Sequence, residues 1–368
     1  MSNIRCDLCD SDDYEVLYSP VGTKRNNIVC ICHDCGLVFS IHDDVPYSRE
    51  PTVSCDADWG NVRFCKGQRL DAIKSDMPTN ASRVLDIGSS RGHFVRWYES
   101  VNPYAEITAL EPDTRIADCP DTLIFVGDRL EDSRLPENYF DFIYCCQTLE
   151  HVDSATLVLD IIQDLLAPDG ILFLEVPNIE VISYPNNTEE FFIDKHNYHF
   201  THATIDAYLR KSGLGVIQRR EDKLNVSVFA RKTDLLPLYS VFDSAIEELI
   251  LNYADTLQSN RERIPEVVEK ITTIMDTGMK VAFWGANTMF DLLVKYGGLD
   301  TSKVGLLVDT YLCECVDSIH GVPVENPEEL RIYQPDVVFI LARFSADALV
   351  KKARQFGIRN VITFDSLL

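Results

Sequence analysis

Near the N-terminus stand two CxxC pairs, Cys6 and Cys9 in CDLC and Cys32 and Cys35 in CHDC. A CxxC places two thiols on one tight turn, aimed at a common centre. Two such turns supply the four sulfurs of a tetrahedral zinc site. Four sulfurs leave no open position, so the expected site is structural. Cys30 is spare and could compete with Cys32 in a looser arrangement. The remaining cysteines, Cys55, Cys65, Cys119, Cys145, Cys146, Cys313 and Cys315, read as small buried hydrophobes or surface thiols.

A second chemical group is VLDIGSSRGHF, Val84 to Phe94. An apolar run closes on Asp86, and Gly88 and Gly92 follow with small residues between them. This reads as a strand turning sharply into a helix, where a ligand can reach backbone N–H groups. The glycine spacing does not fit the GxGxxG dinucleotide fingerprint. Two acids end later strands: Glu111 in ALEPD, 25 residues after Asp86, and Asp128 in FVGD. An acid at such an end can accept both hydroxyls of a ribose. A third group is histidine-rich: His151 in LEHV, and His196, His199 and His202 in KHNYHFTH. An imidazole with a reference pKa near 6.5 suits general-base work. Tyr184 and Tyr198 could stack on a sugar or a base, although most tyrosines are simply half-buried.

These groups must be positioned by something. The strand candidates RVLDIG, EITALE, TLIFVG, FDFIYCC and GILFLEVPN alternate with helix-length segments, which implies βαβ units and a mainly parallel sheet. The rhythm restarts in KVAFWGA, KVGLLVD, PDVVFIL and NVITF. Between the two blocks, apolar spacings of three and four predict amphipathic helix, read as a connecting hairpin. The expected division is therefore a zinc-binding domain over 1–45, an α/β core over 46–235, a helical linker over 236–277 and a C-terminal Rossmann-like α/β domain over 278–368.

Composition narrows the function. The 368 residues carry 34 Lys+Arg against 58 Asp+Glu, a formal net charge of −24. That balance argues against nucleic acid as the main partner and against an anionic membrane surface. No apolar run is long enough for a membrane span, and MSNIRCDLCDSDD has no signal-peptide core, so a cytoplasmic location is expected.

LDIGSSRGHF resembles motif I of the class I S-adenosylmethionine-dependent methyltransferases, with Ser90 where a glycine is common. The later segments ALEPD, FVGD, FDFIYCCQTLEHV and LLAPDGILFLEVPN resemble the same fold in order, over roughly residues 80 to 230. The resemblance implies that Asp86, Gly88 and Gly92 face the cofactor's amino-acid end and that Glu111 takes its ribose. Asp128 would meet the adenine amino group, with Gln147 and His151 near the methionine part. The whole arrangement resembles the sugar C-methyltransferases, which carry a four-cysteine zinc domain and a C-terminal α/β domain. VAFWGANTMFDLLVKYGGLD is similar to that family's YGAAAKG loop and helix, and Asn287-Thr288-Met289-Phe290 depart from it. KHNYHFT aligns His196 with the family's general base in EHLSYFS, and Lys195 takes the place of its glutamate. KLNVSVF replaces a later GGS stretch.

The resemblance implies methyl transfer from S-adenosylmethionine, with structural zinc, to a small acceptor, a nucleotide-activated sugar, clasped with the help of the C-terminal domain. O- or N-methylation of another metabolite or glycan is the first alternative. A non-catalytic zinc-bearing scaffold with a vestigial core is the second.

Overall fold

A computed structural model describes residues 4–19, 27–42, 69–112, 123–180, 196–234, 248, 252, 255, 258–259, 261–310, 312–314, 316–342 and 345–368. Lys195 and Tyr184 lie outside these residues, as do Cys55, Cys65, Cys119 and Cys315. The chain forms two compact units, one holding the cysteine pairs with the first α/β block and one running from Asp255 to Leu368.

The first unit opens with β1 (Tyr14–Tyr18), β2 (Ile28–Cys32) and β3 (Val38–Ile41). It continues through β4 (Arg83–Ile87), α1 (His93–Val101), β5 (Glu106–Leu110), β6 (Ile124–Val126) and β7 (Phe140–Cys146). Then come α2 (Ala155–Leu165), β8 (Leu166–Pro177), β9 (Tyr198–His199), α3 (His202–Lys211), β10 (Leu214–Arg219) and β11 (Asn225–Lys232).

Seven strands make one sheet in the order β10-β11-β8-β7-β4-β5-β6. The five from β8 to β6 pair in parallel, and β11 runs against both its neighbours. Parallel strands covered on both faces need apolar side chains on both. FDFIYCC meets that demand, with six of its seven residues buried. One face packs Leu85, Ile143, Cys145 and Leu174 against α2 and α3, and the other packs Phe142, Tyr144 and Phe173 under Phe94 and Tyr98 of α1. The chain reverses its direction across the sheet between β4 and β7, and a crevice at the carboxyl ends of such strands is where open α/β sheets bind ligands.

The cysteine-bearing strands form a separate antiparallel sheet, β1-β2-β3-β9, so its fourth strand comes from the α/β part of the chain. Val38 pairs with His199 and Phe39 with Tyr198.

In the second unit α4 (Ile264–Met275), β12 (Val281–Trp284), α5 (Thr288–Lys295) and β13 (Leu306–Val308) are followed by β14 (Ser318–Ile319) and β15 (Val322–Glu325). The unit ends with α6 (Glu329–Tyr333), β16 (Val337–Ile340), α7 (Ala346–Gln355) and β17 (Asn360–Thr363). Its sheet order is β14-β15-β13-β12-β16-β17, and β14 is the antiparallel member. Of the stretch expected as a helical linker, most of residues 236–260 lies outside the described residues, and α4 is its described helix. Ile264, Val267, Val268 and Ile271 of α4 pack with Phe290 and Leu293 of α5 in this unit's core. Among the described residues no helix is long and apolar enough to cross a membrane.

Candidate active site

After β4 the backbone enters the left-handed region three times, at Gly88 (φ 73°), Ser90 (φ 50°) and Gly92 (φ 67°). Gly92 caps α1, so the turn delivers its amides at the start of a helix. The N–H groups of Gly88 and Ser89 donate to the Leu110 carbonyl at 2.8 and 3.0 Å. Ser90 N–H donates to Glu111 Oε2 at 2.9 Å. The acid expected to hold a ribose therefore also fixes the turn through the Ser90 backbone.

A methyl group at Gly88 would lie 2.4 Å from Thr148 Oγ1. That hydroxyl donates to the carbonyls of Ile87 and Cys146, locking the turns after β4 and β7 together. Asp86 is 2% exposed and sits level with Ala109 and Tyr144 of the flanking strands. The Ser89 hydroxyl is buried and makes no hydrogen bond among the described residues. A left-handed turn, a buried acid, a second acid on the next strand and a hydroxyl awaiting a partner together fit a polar ligand with an amino-acid end and a ribose. Asp128 lies two residues beyond β6 and is exposed.

The turn after β7 carries the remaining groups. Gln147 (φ 52°) donates through Nε2 to Asn225 Oδ1 at 2.9 Å, and its N–H donates to the Glu175 carbonyl. Glu175 is fully buried, held by the Arg69 guanidinium and by the Ser227 hydroxyl at 2.6 Å. Leu149–His151 form one 3-10 turn. Glu150 is 1% exposed, and its Oε1 lies 3.6 Å from His151 Nε2. The His151 ring stands 4.9 Å from that of His196, centroid to centroid, tilted by 57°. Asn197 N–H donates to the Glu150 carbonyl at 2.8 Å, and Asn197 Nδ2 to that of Val152 at 2.9 Å. One turn thus touches Gly88 at its start and holds residues 196 and 197 at its end. Sequence reasoning passed over Thr148 and Glu150, although Glu150 stands beside His151 in LEHV. It also missed Arg69 with Glu175, whose partnership spans 106 residues.

His199 is a different kind of residue. It is buried, and Nε2 shares a hydrogen bond with Ser40 Oγ at 2.9 Å. Burial, reinforced by the charge of His42, holds its pKa down to about 3. His202 opens α3, partly exposed.

The four cysteines converge as expected. Cys6 and Cys35 sulfurs are 3.4 Å apart, Cys9 and Cys32 are 3.5 Å apart, and all four lie within 4.8 Å of one another. Tetrahedral zinc with Zn–S bonds of about 2.3 Å spaces its sulfurs by roughly 3.8 Å, so the donors fit the ion. Hydrogen bonding from Cys35 and then Cys6 lowers Cys32 to about 2, while Cys6, Cys9 and Cys35 are raised. Four crowded thiols of which one ionises readily are a donor set that a divalent cation completes. Cys30 points away, toward the Ile28 carbonyl. Asp7, inside the first pair, anchors this group to the core. It accepts from Ser154 Oγ at 2.6 Å, Thr156 N–H at 2.9 Å and Tyr208 Oη at 3.1 Å.

Residues 64–219 match the family described as a methyltransferase domain, and residues 245–363 match the C-methyltransferase C-terminal domain. C-methyltransferase NovU of Streptomyces niveus is 22% identical over 357 residues, 89% of this chain and 83% of NovU. Among solved structures, an S-adenosylmethionine-dependent methyltransferase from Mesorhizobium loti is 17% identical with a TM-score of 0.39, covering 48% of this chain and 98% of its own. Human N-acetylserotonin methyltransferase in complex with S-adenosylmethionine is 16% identical with a TM-score of 0.38, covering 47% and 56%. The two matched domains and the NovU relative support a class I S-adenosylmethionine-dependent methyltransferase, and the protein is an enzyme of methyl transfer. The C-terminal match and the likeness to NovU support a C-methyltransferase within that class.

Proposed function

We propose that the protein methylates a carbon of a nucleotide-activated sugar, next to a ketone, with His196 as the general base. The observation that carries this reading is the turn from Thr148 to His151. It contacts Gly88 of the cofactor turn at one end and holds the segment of His196 at the other. The C-methyltransferase C-terminal match supports a carbon acceptor.

Asp86, the turn from Gly88 to Gly92, Glu111 and Gln147 would hold S-adenosylmethionine, with Asp128 and His151 at its edges. When bound, the cofactor supplies a methyl group on a sulfonium sulfur, an electrophile that needs a carbon nucleophile. His196 accepts the proton from the acceptor carbon, and the C–H electron pair stays on that carbon as the nucleophile. Asp86 and Glu111 add negative charge beside the turn, which favours a cationic ligand over the product that has lost its charge. In this reading the second unit contributes to acceptor recognition, and Cys6, Cys9, Cys32 and Cys35 hold a structural zinc.

Calorimetric titration with S-adenosylmethionine, S-adenosylhomocysteine and a panel of nucleotide sugars tests this reading. Expected are binding of both cofactor forms, a nucleotide sugar that tightens the complex, and exchange of its carbon-bound proton in D2O before methyl transfer. Methyl transfer without exchange would assign an oxygen or nitrogen acceptor. Absence of cofactor binding would leave the scaffold reading.

A further inference from the structure

We propose that Glu150 is the acidic partner of His196, delivered from the turn after β7, and that His151 couples the two. This rests on the reading of His196 as the base. The sequence resemblance places a glutamate immediately before the catalytic histidine, and this chain has Lys195 there. A base that becomes cationic in a partly buried site needs a nearby negative charge.

Among the described residues, Glu150, His151 and His196 each present a nitrogen or carboxylate oxygen within 4.8 Å of the others. The Glu150 side chain is almost fully buried, so its charge acts through a medium less polarisable than water. Its Oε1 faces His151 Nε2 at 3.6 Å, and the His151 ring faces that of His196. The histidine segment is fixed from several sides. Asn197 is bonded to the Glu150 and Val152 carbonyls, and its Oδ1 meets His42 Nε2 at 2.7 Å. Among the described residues, the His199 ring lies 6.2 Å from that of His196 and is engaged with Ser40.

The proton balance is simple. The acceptor carbon gives H⁺ to a His196 nitrogen and keeps the electron pair, with no change of oxidation state. The imidazolium charge then lies within reach of Glu150, directly or through His151, and the proton leaves to solvent after methyl transfer. Glu150 acts through His196 and is a positioning and charge-partner residue. The same three side chains could instead grip a divalent cation, as two histidines and one carboxylate can. A cation there would occupy the lone pair that the base needs.

The test uses the full chain with S-adenosylhomocysteine bound and follows the histidine resonances by NMR across pH, with His196→Asn giving the assignment. Glu150→Gln should lower the apparent His196 pKa by about one unit or more, and Glu150→Asp should restore part of it. With a nucleoside-diphosphate 4-keto sugar in D2O, Glu150→Gln should slow proton exchange and kcat on the order of 10²-fold while leaving KM and cofactor affinity near wild type. If Glu150→Gln unfolds, Glu150→Asp carries the His196 titration alone, with a smaller downward shift expected and an unmoved titration overturning the proposal. An unmoved His196 titration in Glu150→Gln overturns the proposal. So does binding of added manganese or zinc, beyond the ion on the cysteines, that is lost in Glu150→Gln. Full turnover by His196→Asn would instead overturn the base assignment itself. An inactive His196→Asn beside a normal Glu150→Gln would overturn the Glu150 role alone.

Discussion

At Gly88 one added carbon is incompatible with the neighbouring turn. Gly88→Ala combines a left-handed backbone with a 2.4 Å approach to Thr148 Oγ1, and the hydroxyl cannot retreat without losing its two carbonyl partners. The expected cost is about 1–3 kcal/mol of stability with a loss of S-adenosylmethionine affinity, read by calorimetry and thermal unfolding. Thr148→Ala should partly rescue the double variant, because it removes the clashing atom. Asp86→Ala and Glu111→Ala should each weaken cofactor binding, and Glu111→Ala should also loosen the turn through Ser90. Unchanged titration curves would remove both residues from the site. The positions in this turn were legible because a strand, an acid and two glycines follow one another within a few residues. Glu150 was not legible as a partner of His196, because 46 positions separate the two and only the tertiary fold brings them together.

Among the elements, the hairpin of the cysteine pairs shows how local chemistry becomes tertiary. Asp7→Ala would leave Tyr208 Oη and the Ser154 hydroxyl, both at a packed interface, without their shared acceptor. A loss of about 2–4 kcal/mol in urea unfolding is expected, with the zinc content unchanged. The pairing of β3 with β9 makes His199 a pH-dependent element of the same interface. Its pKa is about 3 when folded against a reference of 6.5, so the unfolded chain takes up a proton that the folded chain refuses between those values. This contribution to stability is complete above pH 6.5 and is lost as pH falls toward 3, by up to ~5 kcal/mol. His199→Gln should flatten that slope relative to wild type in unfolding midpoints measured at equal zinc loading. An identical slope would show that other groups set it. The CxxC spacing announced the two cysteine turns, whereas nothing in the cysteine pattern indicated that their sheet takes a fourth strand from residues 198 and 199.

For the molecule as a whole, the sequence rhythm revealed two α/β sheets, because apolar strands and helix-length intervals repeat in both halves. The helix of residues 264–275 carries an amphipathic pattern that is compatible with either a linker or a domain face. The buried Ile264, Val267 and Ile271 decide in favour of the second unit. A truncation beginning at residue 278 would strip that face and expose it. Removing 255–368 is the cleaner cut, and it should abolish acceptor binding while the remaining chain still binds the cofactor. Full activity of that fragment would rule out a role for the second unit. Purified full-length protein should contain about one zinc per chain, and metal analysis showing none in folded protein would refute the four-sulfur site.

The pairing of Val38 with His199 also has a consequence for synthesis on the ribosome. The cysteine-bearing sheet must wait for more than 150 further residues after β3 before its last strand exists, a high-contact-order closure that folds late. Until then the free edge of β3 is open to other chains, which makes this edge the point of exposure during synthesis.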